Sequence, residues 1–88
     1  VKVEFKSSFV KDLKKIKEKH LQNQIRELIE KAESTANITE LENMKKISRG
    51  DVYYQIRLGN YRIGIKIENN TVYFIRFLHR KDIYRYFP

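Results

Sequence analysis

Apolar and polar positions alternate with period two from Tyr53 to Ile67 (YYQIRLGNYRIGIKI), and the alternation breaks only at Gly59-Asn60. That pattern predicts two antiparallel strands joined by a tight two-residue turn. With Gly59 and Asn60 as the loop, Leu58 faces Tyr61, Arg57 faces Arg62, Ile56 faces Ile63 and Tyr54 faces Ile65. One face of the hairpin is then apolar. The other sets two arginines directly opposite each other, an arrangement that destabilises a sheet. A polyanionic partner is the expected offset.

The rest of the chain supplies elements to cover the apolar face. Val1, Val3 and Phe5 alternate with Lys2 and Glu4, which predicts a short strand. Ser7-Ser8 is an N-cap candidate. Phe9, Leu13, Ile16 and His20 follow at helical spacing, with Lys11, Asp12, Lys14 and Lys15 on the solvated side. The apolar stripe restarts out of phase at Leu21, Ile25, Leu28, Ile29 and Ala32. This predicts a turn near Lys19–Gln22 and a second, antiparallel helix, with a single bent helix as the alternative. Thr39-Glu40-Leu41-Glu42 fits a capping box. Met44 to Ser48 reads as a weak strand or extended linker, and Arg49-Gly50-Asp51 as a turn. Asn69-Asn70 suits a primed turn, and Val72 to Leu78 is a third strand, apolar on both faces except at Arg76. The expected architecture is an α+β domain spanning residues 1–88: a short N-terminal strand, an antiparallel helical hairpin, a three-stranded antiparallel β-meander, and a short C-terminal tail or helical turn.

Charge narrows the choice of partner. The 88 residues allow one small domain, and 19 Lys+Arg against 11 Asp+Glu give a net charge of +8. Such a domain attracts nucleic acid, or less often an anionic membrane surface. The absence of cysteine excludes a disulfide framework and a thiolate metal site. No apolar run approaches the roughly 20 residues of a membrane-spanning helix. The mixed first residues carry no signal-peptide pattern, so no membrane contact and a cytoplasmic location are expected.

On the uncovered face the register sets Tyr53, Gln55 and Arg57 beside Arg62, Gly64 and Lys66. A two-residue loop at Asn69-Asn70 adds Tyr73, Ile75 and Phe77. Cations interleaved with aromatics suit nucleic acid, the cations meeting phosphates and the rings stacking on unpaired bases. Gly64, opposite Gln55, leaves a shallow place for a backbone or a base to approach. In the tail, His79 is a side chain suited to proton transfer, and Arg80 and Tyr84 fall on one face if the segment is helical. His20 is expected on the buried helical stripe. Asp51, Glu68 and Asp82 stand apart in sequence, so neither a metal site nor a cofactor site is expected, and no small-molecule ligand. Cleavage of a phosphodiester without metal would use attack by a ribose 2′-OH. That restricts the substrate to RNA and requires cations around the phosphate with one or two proton-transfer groups.

The run Tyr54-Gln55-Ile56-Arg57-Leu58-Gly59-Asn60-Tyr61-Arg62-Ile63, followed by His79-Arg80-Lys81-Asp82-Ile83-Tyr84, resembles the RelE/ParE superfamily of toxin–antitoxin toxins, and its RelE-like branch in particular. The resemblance implies a RelE-like fold and a ribosome-dependent, metal-independent mRNA endonuclease that inhibits translation. It also implies a cognate antitoxin, with ribosome and mRNA as the other partners. By position it implies catalytic roles for Arg57, Arg62, Arg80 and Tyr84, with His79 as a further acid or base. Tyr53, Gln55, Lys66, Lys81 and Arg85 would contact RNA, and Lys11, Lys14 and Lys15 ribosomal RNA. Gln55 stands where lysine is frequent in RelE, and the Arg80-to-Tyr84 spacing is shorter than in some members. The ParE branch implies the alternative, a DNA gyrase inhibitor; a catalytically weak RNA-binding or antitoxin-binding module is the third reading.

Overall fold

The structure is a computed structural model that describes residues 1–47, 50 and 52–88, apart from the side chain of Thr39. Strand β1 (Lys2–Phe5) leads into helix α1 (Ser7–Lys14) and helix α2 (Lys19–Ser34). A single 3-10 turn (Ile38–Glu40) precedes β2 (Met44–Lys46), β3 (Tyr53–Leu58), β4 (Tyr61–Glu68), β5 (Thr71–His79) and the one-turn helix α3 (Ile83–Tyr86). The expected turn at Arg49-Gly50-Asp51 and the end of the weak strand at Ser48 lie outside the described residues, Gly50 excepted.

The three-strand meander is the centre of a five-stranded sheet ordered β1-β5-β4-β3-β2. β1 joins it parallel to β5, with Val3 beside Val72 and Phe5 beside Phe74; the other pairs are antiparallel. The central hairpin has the register expected from the alternation, including Arg57 opposite Arg62. Gly59 has φ +59° and Asn60 is not left-handed, which fits a type II′ turn; Asn69 (φ +52°) and Asn70 (φ +58°) fit type I′. Phe9, Leu21, Ile25 and Ala32 of the helices pack on Ile56, Ile63, Ile65, Val72, Phe74 and Phe77 of the sheet, all buried.

Four local expectations are corrected. The first helix ends at Lys14, so the connection runs through Lys15–Glu18 rather than Lys19–Gln22, and it is held by the Gln22 side chain donating to the Ile16 carbonyl (2.8 Å). His20 consequently sits in the first turn of α2, exposed, rather than on a buried stripe. Ser8 does not cap α1: its hydroxyl donates to the Ile75 carbonyl, and no side chain caps that helix. Asp12, expected on the solvated side, is buried. Its carboxylate accepts from Arg76 (2.8 and 3.2 Å) and from the Phe77 backbone N–H (2.9 Å). Beyond the end of β1, Ser8 and Asp12 thus take the place of a strand along the edge of β5 and satisfy its backbone.

The last strand of the meander, β5, carries an irregularity that sequence alternation conceals. Between Gly64 and Ile65 the register with β5 shifts, so Ile65 lies opposite Phe74 but Gly64 lies opposite Arg76. The bulge skips Ile75 and inverts the facing of everything after it. Phe77 moves to the core beside Ile63, and Arg76 to the other face. Of Tyr73, Ile75 and Phe77, Tyr73 alone keeps the position that strict alternation assigns it, beside Lys66.

Candidate functional site

β3 and β4 present Arg57 and Arg62 side by side on the face away from α1 and α2. The fold itself absorbs part of their repulsion. Arg62 Nη1 donates to the carbonyls of Gly59 and Tyr61, both at 2.9 Å, so the turn holds that guanidinium. Arg57 is exposed, and its backbone N–H donates to the carbonyl of Asn43 (3.0 Å), a residue with φ +62° just before β2.

These two arginines line an open cavity of about 340 Å³ together with Asn43, Met44, Lys45, Gln55 and Tyr84. Three of the seven are cations and none is acidic. The cavity therefore concentrates positive potential, and it offers many donors to an anion. Tyr84 reaches it from α3, with 74 % of its surface exposed. Gln55 is buried beneath, opposite Lys45 on one side and Gly64 on the other. Lys45 and Asn43 were not singled out from the sequence. Only the pairing of β2 with β3 brings them here, and Met44 to Lys46 has too little pattern to fix a register.

The other expected site residues are distributed elsewhere. His79 lies opposite Tyr61, on the helix side of the sheet, with its ring edge-on to the tyrosine at 5.5 Å. It lines a different cavity with Glu18, His20 and Tyr61, and its Nδ1 accepts from the Lys81 backbone N–H (3.2 Å). Arg80 is exposed and ties the tail to the hairpin turn through its own N–H, which donates to the Asn60 carbonyl (2.8 Å); its side chain is not part of the arginine cavity. Lys66 lies over the Tyr73 ring at 4.8 Å and 3.6 Å from Glu68. Arg85 is exposed, 6.0 Å from the Tyr86 ring. Lys11, Lys14 and Lys15 are exposed at or just after α1, which packs along β5, three strands from β2.

The shallow place expected at Gly64 is filled. Phe87 is buried, and its ring lies so close over Gly64 that an added Cβ would meet it at 2.6 Å. Tyr53 completes the seat, edge-on to the same ring at 5.8 Å, so Tyr53 packs against the protein's own tail. Among the described residues no group of three or more His, Cys, Asp and Glu is arranged to hold a metal ion, and no helix is long and apolar enough to cross a membrane.

Residues 3–84 match the family described as the ParE toxin of the type II toxin-antitoxin system, parDE. The chain is 45 % identical to Toxin RelE3 of Methanocaldococcus jannaschii over the full length of both. Its fold superposes on the RelB-RelE antitoxin-toxin complex from Methanococcus jannaschii with a TM-score of 0.81 and 43 % identity, covering 96 % of this chain and 98 % of that one. The intact Escherichia coli RelBE toxin-antitoxin complex shares the fold at a TM-score of 0.63 and 21 % identity, over 89 % of this chain and 94 % of that one. With this fold, this coverage and this identity, the chain belongs to the RelE/ParE superfamily and is a RelE-like toxin of a type II toxin–antitoxin system.

Proposed function

We propose that this toxin is an endoribonuclease that cuts mRNA on the ribosome, in the cavity between Arg57, Arg62 and Tyr84. One observation carries the reading: three cations and an exposed phenol share one cavity whose lining contains no carboxylate. That donor set suits a phosphate and offers no anionic ligand to a divalent ion. In the proposed step the ribose 2′-oxygen attacks the adjacent phosphorus, the bond to the 5′-oxygen breaks, and a 2′,3′-cyclic phosphate forms. The 2′-OH proton goes to a base, and the departing 5′-oxygen gains a proton. Arg62, held by the turn carbonyls, meets the charge that grows on the phosphate, with Arg57 and Lys45 beside it. We assign to Tyr84 the orientation of the base and a proton transfer, because His79 occupies the other face of the sheet.

The test is purified toxin added to ribosomes programmed with a defined mRNA. Cuts at the decoding site are expected, reduced about 10²-fold or more by Arg62→Ala, the scale on which a preorganised charge donor acts. Absence of cuts, or equal cutting by the variant, would overturn the reading. The family description names ParE, so gyrase inhibition is the second reading. Loss of supercoiling with intact mRNA would establish it instead. We also infer a cognate antitoxin that covers the basic face with acidic and apolar side chains. Support comes from the solved relatives, several of which are toxin–antitoxin complexes. Co-purification with the product of the neighbouring gene tests it.

A further inference from the structure

We propose that Phe87, seated on Gly64, is a latch that positions Tyr84 over the arginine cavity; the inference rests on the endonuclease reading above. Tyr84 is 74 % exposed, so its own packing cannot hold it in place. It belongs to a helix of four residues, far below the length at which a helix persists unaided. What holds that turn is the burial of its flanks, Ile83 at 0 % and Phe87 at 4 % exposed. The Phe87 N–H donates to the Ile83 carbonyl (2.9 Å), so the seat of the ring closes the turn that carries Tyr84.

The seat is specific to glycine for reasons of space. Gly64 is not in a left-handed conformation, and glycine weakens the interior of a strand. Neither a turn nor a left-handed backbone accounts for it, and the extra residue of the adjoining bulge, Ile75, lies in β5. Its missing side chain admits the Phe87 ring, which any Cβ would overlap. Gln55, directly opposite Gly64, lines the cavity that Tyr84 borders, so latch and cavity are adjacent. A second hold comes from Arg76. It also lies opposite Gly64, is fixed by Asp12, and carries the Tyr86 ring 5.6 Å from its guanidinium.

The experiment combines ribosomal mRNA cutting with amide exchange of Arg85, Tyr86 and Phe87. Phe87→Ala and Gly64→Ala are each expected to lower the cutting rate by about 10²-fold, the scale of a catalytic group displaced by an ångström. Exchange of the tail amides should accelerate while exchange in β3 and β4 is unchanged. The double variant should be no worse than either single one, and Phe87→Leu should recover most of the rate. In a Tyr84→Ala background, Phe87→Ala should have no further effect, because the latch acts through that phenol. Additive losses, a further loss in the Tyr84→Ala background, or unaltered tail exchange in Phe87→Ala would overturn the proposal. If the wild-type protein cuts no mRNA, the endonuclease reading falls and the exchange arm alone decides the latch.

Discussion

Single residues explain how so basic a surface is tolerated. The repulsion between Arg57 and Arg62 predicts an external anion as its offset. The structure shows a partial internal one, since two backbone carbonyls of the hairpin turn accept from Arg62. Those bonds also preorganise the guanidinium. On the proposed mechanism Arg62→Lys is therefore expected to lose most of the cutting activity despite keeping the charge, because a lysine ammonium lacks the planar fork that would bridge turn and phosphate. Asp12 is the corresponding structural residue. It is buried and joins α1 both to Arg76 and to the β5 backbone. Asp12→Ala should lower the unfolding free energy by about 2–3 kcal/mol, the cost of lost charge-assisted hydrogen bonds and a stranded buried donor. Urea denaturation measures it, and a loss under about 0.5 kcal/mol would contradict the assignment.

At the scale of elements, the turns and the bulge shape the sheet. Asn69 and Asn70 both adopt left-handed backbone, which suits the twist of a two-residue hairpin. Asn70→Ala is expected to cost about 1 kcal/mol because alanine keeps the Cβ that crowds the following carbonyl but lacks the short polar side chain with which asparagine tolerates left-handed backbone, whereas Asn70→Gly should be near neutral. Thermal unfolding of the two variants separates a conformational effect from a lost contact. The bulge after Gly64 lets one strand bury Phe74 and Phe77, three residues apart, and still turn Arg76 away from the core. Strict alternation would have put Arg76 beside Ile63. The odd spacing of apolar residues around that lone arginine is therefore the mark of the bulge in the sequence, and an uninterrupted period of two cannot express it.

For the whole molecule, the net charge of +8 predicts that the proposed RNA binding weakens as ionic strength rises. Each phosphate contact to a single strand contributes about 0.7 to the slope of log affinity against log salt. Arg57→Ala should therefore flatten that slope by about this amount, while Lys11→Ala, at the far edge of the sheet, should not. Filter binding of single-stranded RNA across a salt series checks both. Unequal steepness at Arg57 and Lys11 would mark the cavity, and not the general surface, as the anion site.

The order of elements, the central hairpin and its arginine pair were legible from the chain itself because they depend on local spacing: period two, a two-residue turn, two helical stripes out of phase. The family was legible for the same reason, through two short runs of residues. Beyond Gln55, which the hairpin register already sets there, tertiary structure decided what lies near the arginines. Lys45 and Asn43 come through a short edge strand without a distinctive pattern, and His79 is directed away by the strand pairing at Tyr61. The tail brings Tyr84 in but also covers Gly64 with Phe87, a contact across 23 positions that no periodicity encodes. Asp12 is buried for the same kind of reason: the edge of β5 needs an acceptor there, and helical spacing reports only which side of α1 a residue occupies, not what that side meets.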